Sequence, residues 1–214
     1  MGSTVVIDYG MGNTKSVLRG IEQVGGEAIL SCDYEDIINA GRLILPGVGA
    51  FKDGMNELVK RGLVDMLGDY IQTGKPFLGI CLGMQMLFDE SDEHGVHKGL
   101  GYIPGRVVHI PQDGNNIRKI PHIGWSAISK PTPSLSWDMT ILNSLEDKEY
   151  FYFVHSYMAV AESKDQVLAE CEYENLKITA AVKKDNITGC QFHPEKSGPA
   201  GLAILDTFIN RATL

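Results

Sequence analysis

Runs of β-branched and large apolar residues alternate along the chain with stretches in which apolar positions fall three and four apart. "STVVIDYG" (3–10) is the first such run, and its closing glycine marks a strand that leads into a turn. In "NTKSVLRGIEQVGG" (13–26), Val17, Leu18, Ile21 and Val24 share one helical face, and Gly25-Gly26 stops the helix. "EAILS" (27–31) predicts a second strand and "RLILPG" (42–47) a third. The third is apolar throughout, as a parallel strand covered on both faces must be. Residues 53–73 are helical in pattern with a break expected at Gly62, and "KPFLGI" (75–80) predicts a fourth strand. This alternation predicts a parallel sheet with helices on both faces.

The second half has a different rhythm. "GYIPGRVVHIP" (101–111), "YFYFVHSYMAV" (150–160), "VLAECEY" (167–173), "KITAAVKK" (177–184) and "ITGCQF" (187–192) are strand-like and closely spaced. Antiparallel pairs that extend or flank the sheet account for such spacing. "GPAGLAILDTFINRA" (198–212) predicts an amphipathic helix with Leu202, Leu205 and Ile209 on one face, and "SKPTPSLSW" (129–137) a surface loop. No repeat, low-complexity tract or linker interrupts the chain. The expected architecture is a single three-layer α/β/α domain over residues 1–214, its central sheet mostly parallel with antiparallel strands in the second half. At 214 residues and 43% hydrophobic, the chain can bury one full core.

The net charge of -8, with no cluster of Lys or Arg, argues against nucleic-acid binding. The longest nearly apolar window, 77–88, is too short to span a bilayer. No basic-then-apolar leader is present, and Val6 stands where a myristoylation signal needs Ser or Thr, so a cytoplasmic protein is expected. Cys32, Cys81, Cys171 and Cys190 form no C-x-x-C pair, which speaks against a zinc knuckle or a redox motif. "HGVH" (94–97) lies in a polar run and predicts a solvated loop rather than a metal pair. Neither a metal nor an organic cofactor is expected.

One short stretch carries the chemistry. "GICLGMQ" (79–85) places Cys81 between two glycines where a strand gives way to a helix. A strand–turn–helix elbow exposes the sulfur at the carboxyl edge of the sheet and aims the following amides at the reacting centre. Glycine on each side relieves the crowding of such a turn. The base that a thiol nucleophile needs is offered by "QFHPEKS", in which Glu195 can fix the tautomer of His193. "LPGVGAF" (45–51) can turn backbone N–H groups toward an oxyanion, with Val48 as one donor and Leu82, next to the nucleophile, as the other. In this loop Gly47 and Gly49 allow cheap rotation of the backbone, so a peptide flip at Gly47–Val48 is expected to switch the site on.

"GICLGMQ", "PGVG" and "QFHPEKSG", in this order and spacing, resemble the class I (triad) glutamine amidotransferases over essentially the whole chain. Within that family, "DYGMGN", "PHIGW" (121–125) and "FVHSY" (153–157) are similar to the glutaminase subunits of imidazole glycerol phosphate synthase. The resemblance implies a glutaminase with Cys81 as nucleophile, His193 as base and Glu195 as its orienting partner. It places Gly47, Gly49, Gln85, Ser156 and Tyr157 around the glutamine. It turns His122 and Trp125 of "PHIGW", with Tyr152 and Lys196, toward a partner, the (βα)8-barrel cyclase subunit of that synthase, which would use the ammonia in histidine biosynthesis. Met11 departs from the small residue expected at its position, on the side facing the partner. Two other readings are compatible with the sequence: a paralogue that supplies ammonia to a surface-polysaccharide sugar-modifying enzyme, and a non-catalytic partner subunit of the same fold.

Overall fold

In the first half of the chain, β1 (Thr4–Ile7), α1 (Thr14–Gln23), β2 (Ala28–Ser31), α2 (Tyr34–Asn39), β3 (Arg42–Gly47), α3 (Phe51–Lys60), α4 (Leu63–Gln72) and β4 (Phe77–Cys81) follow one another much as the apolar pattern requires. β1, β3 and β4 are buried at every position. The expected break between α3 and α4 is Gly62, whose φ of 68° lies in the left-handed region. α2 was not expected from the pattern. It is six residues long and buries only Ile37. The computed structural model describes residues 3–112, 114 and 118–211. Residues 1 and 2, and residue 212 of the expected last helix, lie outside them.

The second half contains α5 (Leu82–Gln85), β5 (Phe88–Ser91), β6 (His97–Lys98), β7 (Ile103–His109), β8 (His122–Ser129), β9 (Tyr150–His155), β10 (Tyr157–Ala161), β11 (Val167–Tyr173), β12 (Leu176–Lys184), β13 (Ile187–Cys190) and α6 (Gly198–Asn210). The main sheet runs β2-β1-β3-β4-β13-β12-β11-β8-β9. Its first five strands are parallel and its last four join antiparallel. A smaller sheet, β10-β7-β5-β6, stands apart. The stretch "YFYFVHSYMAV", expected as one strand, therefore divides at Ser156 between the two sheets. β8 falls on "PHIGW", which the sequence offered as a motif rather than a strand.

Alternate side chains on the parallel strands feed two cores. Val6, Ile44, Leu78 and Ile80 pack with Val17 and Ile21 of α1 and Ile204, Phe208 and Ile209 of α6. Val5, Ile7, Leu43 and Leu45 pack with α2, α3, α4 and the small sheet. Three layers result, in agreement with the expected class. In α6, Leu205 and Ile209 face the core as expected, while Leu202 is only half-buried. The stretch "SKPTPSLSW" is less superficial than its composition suggests. Its Trp137 is buried, and the indole N–H donates to Leu168 O at 2.7 Å. No helix among the described residues is long and apolar enough to cross a membrane.

Candidate active site

β4 ends between β3 and β13, and the chain turns into α5 at Cys81 with φ 54° and ψ -109°. Left-handed backbone of this kind costs a β-carbon-bearing residue about 1–3 kcal/mol and persists only where packing enforces it. The enforcing contacts are made at two glycines. A Cβ on Gly83 would lie 1.8 Å from Leu45 O, and one on Gly79 would lie 2.8 Å from the Gly83 carbonyl. α5 can therefore sit directly on the backbone of β3 and β4, and the Cys81 sulfur is turned into a cavity.

His193 follows β13, with its amide bonded to Tyr152 O at 3.0 Å. Its Nδ1–H donates to Glu195 Oε1 at 2.8 Å, and both side chains are almost wholly buried. In an extended chain, residues two apart would put these side chains on one face. The structure instead places Glu195 in a 3₁₀ turn, Pro194–Lys196, and Ser197 clamps that turn. Ser197 Oγ donates to His193 O at 2.6 Å and accepts from the Tyr152 amide at 2.9 Å. Burial alone lowers the basicity of His193. The hydrogen bonds and charges of Cys81 and Glu195 outweigh it and raise the imidazole to about 10. The imidazole is therefore protonated at neutral pH, beside the Cys81 sulfur. Apart from the nearby Cys81 sulfur, the Nε2 atom of His193 has no partner among the described residues, which leaves it free for a reacting group.

Cys81 and His193 border a cavity of about 500 Å³ that Val48, Gly49, Leu82, Gln85, Ser156 and Tyr157 also line. Gly47 stands just behind this wall, and packing gives a second reason for glycine there. A Cβ there would meet Tyr9 Oη at 2.7 Å, Leu82 Cβ at 2.8 Å and Gly83 N at 2.9 Å, so glycine is required by close approach. The glycine with left-handed backbone is Gly49, at φ 109°. Tyr9, which sequence reasoning passed over, is fully buried and donates to Pro46 O at 2.8 Å, holding the end of β3. Met11 also reaches this loop. Its Cε is 3.0 Å from the position of a Cβ on Gly49, so it packs on the site's own wall. Gln85 Nε2 donates to Tyr157 O and to Gln191 Oε1, each at 3.0 Å. His155 and His109 border the cavity as well. His155 and Gln191 lie in the motifs "FVHSY" and "QFHPEKS", which gave neither residue a role of its own.

The four residues expected on a docking face do not share one side of the sheet. Trp125 on β8 pairs with Tyr152 on β9, their ring centroids 6.1 Å apart, and Lys196 Nζ lies 5.9 Å from the Tyr152 ring. Ile123 and Tyr150 extend this exposed patch. His122 points the opposite way and is 0% exposed, stacked on Tyr173 and Phe153. The alternation of a β-strand, together with burial among its own neighbours, removes the His122 side chain from the face that carries Trp125.

Comparison with known proteins agrees with this geometry. The family described as glutamine amidotransferase class-I matches residues 5–212. Imidazole glycerol phosphate synthase subunit HisH 1 of Legionella pneumophila (strain Lens) is 44% identical over 211 residues, which cover 98% of this chain and 99% of that protein. The HisH subunit of Syntrophotalea carbinolica is 46% identical over 207 residues, covering 95% of this chain and 98% of the relative. Among solved structures, a glutamine amidotransferase aligns with TM-score 0.71 at 16% identity over 95% of this chain and 96% of its own. PurLQS from Thermotoga maritima aligns with TM-score 0.69 at 18% identity over 98% and 99%.

Proposed function

The chain belongs to the class-I glutamine amidotransferases, and from that premise we propose that it is the glutaminase subunit of an imidazole glycerol phosphate synthase, working through Cys81, His193 and Glu195. It hydrolyses glutamine to glutamate and ammonia, and the ammonia passes to a (βα)8-barrel cyclase subunit for histidine biosynthesis. The observation that carries the reading is the strained Cys81 turn facing the buried His193–Glu195 pair across one cavity.

Each step follows from the atoms in place. The Cys81 thiolate attacks the side-chain carbonyl carbon of glutamine, and the carbonyl electrons move to oxygen. The amides of Val48 and Leu82 are the assigned donors to that oxyanion, each worth on the order of 3 kcal/mol. His193 Nε2–H gives its proton to the amide nitrogen, the C–N bond breaks, and ammonia leaves. The resulting thioester is attacked by water as neutral His193 takes one of its protons. The C–S bond then breaks, glutamate departs, and the thiolate–imidazolium pair is restored. Glu195 keeps Nδ1 protonated throughout, so Nε2 is the nitrogen that exchanges protons. Gln85, Ser156 and Tyr157 surround the amino-acid end of the substrate. Trp125, Tyr152 and Lys196 form the docking face, a patch whose exposed aromatics suit a protein partner.

The test is glutamine hydrolysis by the wild-type chain and by His193→Ala, with and without the barrel cyclase subunit and its nucleotide ligand. Turnover should rise on adding the partner, and His193→Ala should lower it by about 10²–10⁴-fold. Wild-type turnover by the variant, or indifference to the partner, would overturn the proposal.

A further inference from the structure

A single backbone carbonyl sets the direction of a hydrogen-bond chain that runs from β8 to the nucleophile. Tyr157 O can only accept. His155 Nδ1 lies 2.9 Å from it and Gln85 Nε2 3.0 Å, so both are donors. Neutral His155 then accepts at Nε2, and His122 Nδ1, 3.1 Å away, must donate to it. His122 Nε2 in turn accepts from Ser126 Oγ at 2.9 Å. Burial keeps both imidazoles neutral, with His122 lowered to about 4. His155 is lowered to about 3, where burial outweighs its backbone bond to Tyr157 and the neighbouring His122 and His193 act with it.

The other arm of the chain leads to the sulfur. Gln85 Nε2 also donates to Gln191 Oε1 at 3.0 Å. The oxygen of Gln191 thus faces Gln85, and its amide nitrogen points the other way, 3.7 Å from Cys81 Sγ. Turning over the Gln85 amide would set its oxygen against Tyr157 O, and turning over Gln191 would set two amide nitrogens against each other. Gln191 is wholly buried, so no solvent competes for these bonds.

We propose that Gln191 is a further catalytic residue: a fixed, neutral donor to the Cys81 sulfur, its orientation held by Gln85, Tyr157 and the His155–His122 pair. The assignment rests on Cys81 being the nucleophile. The Nε2 proton of His193 is transferred in every turnover, whereas the amide proton of Gln191 is not. The amide faces the sulfur at rest, and it can bond to it as negative charge returns when the thioester C–S bond breaks. Hydrogen bonds to charged acceptors are the stronger class, so the amide favours thiolate over thiol and improves the leaving group.

The experiment follows alkylation of the full chain by iodoacetamide across pH, read by mass spectrometry at each cysteine, in wild type, Gln191→Met and Gln191→Glu. The glutamate variant keeps an acceptor for Gln85 and the same volume, but it removes the donor to sulfur. Thermal melting identifies the folded variants, and either one decides. At neutral pH, Cys81 alkylation should slow by about tenfold or more, with the deficit closing at alkaline pH. The kcat for glutamine should fall by a similar factor, and KM should change by less than about twofold. Wild-type alkylation of Cys81 in a folded variant overturns the assignment of Gln191. Labelling of another cysteine in preference to Cys81 in the wild type would instead overturn the nucleophile itself.

Discussion

β4 and β13 lie side by side and parallel, and each carries a cysteine at its carboxyl end. Cys190 is in register with Ile80, one position short of Cys81. It continues its strand, is 0% exposed, and its sulfur rests 3.8 Å from Gly79 O. Burial, followed by the nearby charges of Glu195 and Cys81, pushes its thiol well above the ordinary range. Cys81 leaves the strand direction, enters the cavity, and meets an imidazolium and an amide N–H. The residue type and the strand end are shared. What distinguishes the proposed nucleophile from its buried neighbour is a turn that Gly79 and Gly83 permit, together with donors on the residues that follow β13.

The largest effect should separate the two cysteines. Cys81→Ala removes the proposed nucleophile and should lower glutamine hydrolysis by about 10⁴-fold or more. Cys190→Ala should retain turnover and cost about 1 kcal/mol of stability in urea denaturation. Wild-type turnover by Cys81→Ala would erase the distinction.

The next effect separates histidines by charge. His193 is an imidazolium at neutral pH, whereas His122 and His155 stay neutral because burial lowers them to about 4 and about 3. The unfolded chain binds protons at these two below its ordinary value of 6.5, and the folded chain does not. Stability should therefore fall as pH drops from 6.5 toward 4, by at most about 1.4 kcal/mol per pH unit for each histidine. His155→Gln keeps a donor and an acceptor but cannot titrate there, so denaturation curves across this range should flatten. An unchanged slope would refute the account.

The smallest effect tests the turn against the straight strand. A Cβ on Gly83 meets the backbone Leu45 O at 1.8 Å, whereas one on Gly189 of β13 meets the flexible Met84 side chain at 2.6 Å. Gly83→Ala should cost about 3 kcal/mol and Gly189→Ala about 1 kcal/mol. Equal losses in calorimetry would mean that the elbow is no more constrained than its neighbour.

Much of this was legible in the residues, for identifiable reasons. β1, β3 and β4 are covered on both faces, so their apolar runs are continuous. Cys81 and His193 sit in short motifs whose glycines and proline record the turns themselves. β8 was illegible because its outward face carries Ile123 and Trp125 while its inward face carries His122 and Ser126, which inverts the usual contrast of polar outside and apolar inside. β5 and β6 lie in a polar run and are four and two residues long. Gln191, His155 and Tyr9 lie in quoted motifs, but nothing local marks what each one does. Their partners come from β3, β4, α5, β8 and β10, and only the tertiary fold brings them together.

The clamp formed by Ser197 and the 3₁₀ turn also sets an order in time. The ribosome delivers Cys81 first, and Gln191 lies 110 residues further on. At about 5–20 residues per second, roughly ten seconds pass between them. Until then β4 has no β13 beside it, and Gln191, His193 and Glu195 have not been made. In the proposed mechanism the surroundings of Cys81 are therefore complete only when α6 packs on the turn behind His193, after the strands that carry Trp125 and Tyr152 have been made.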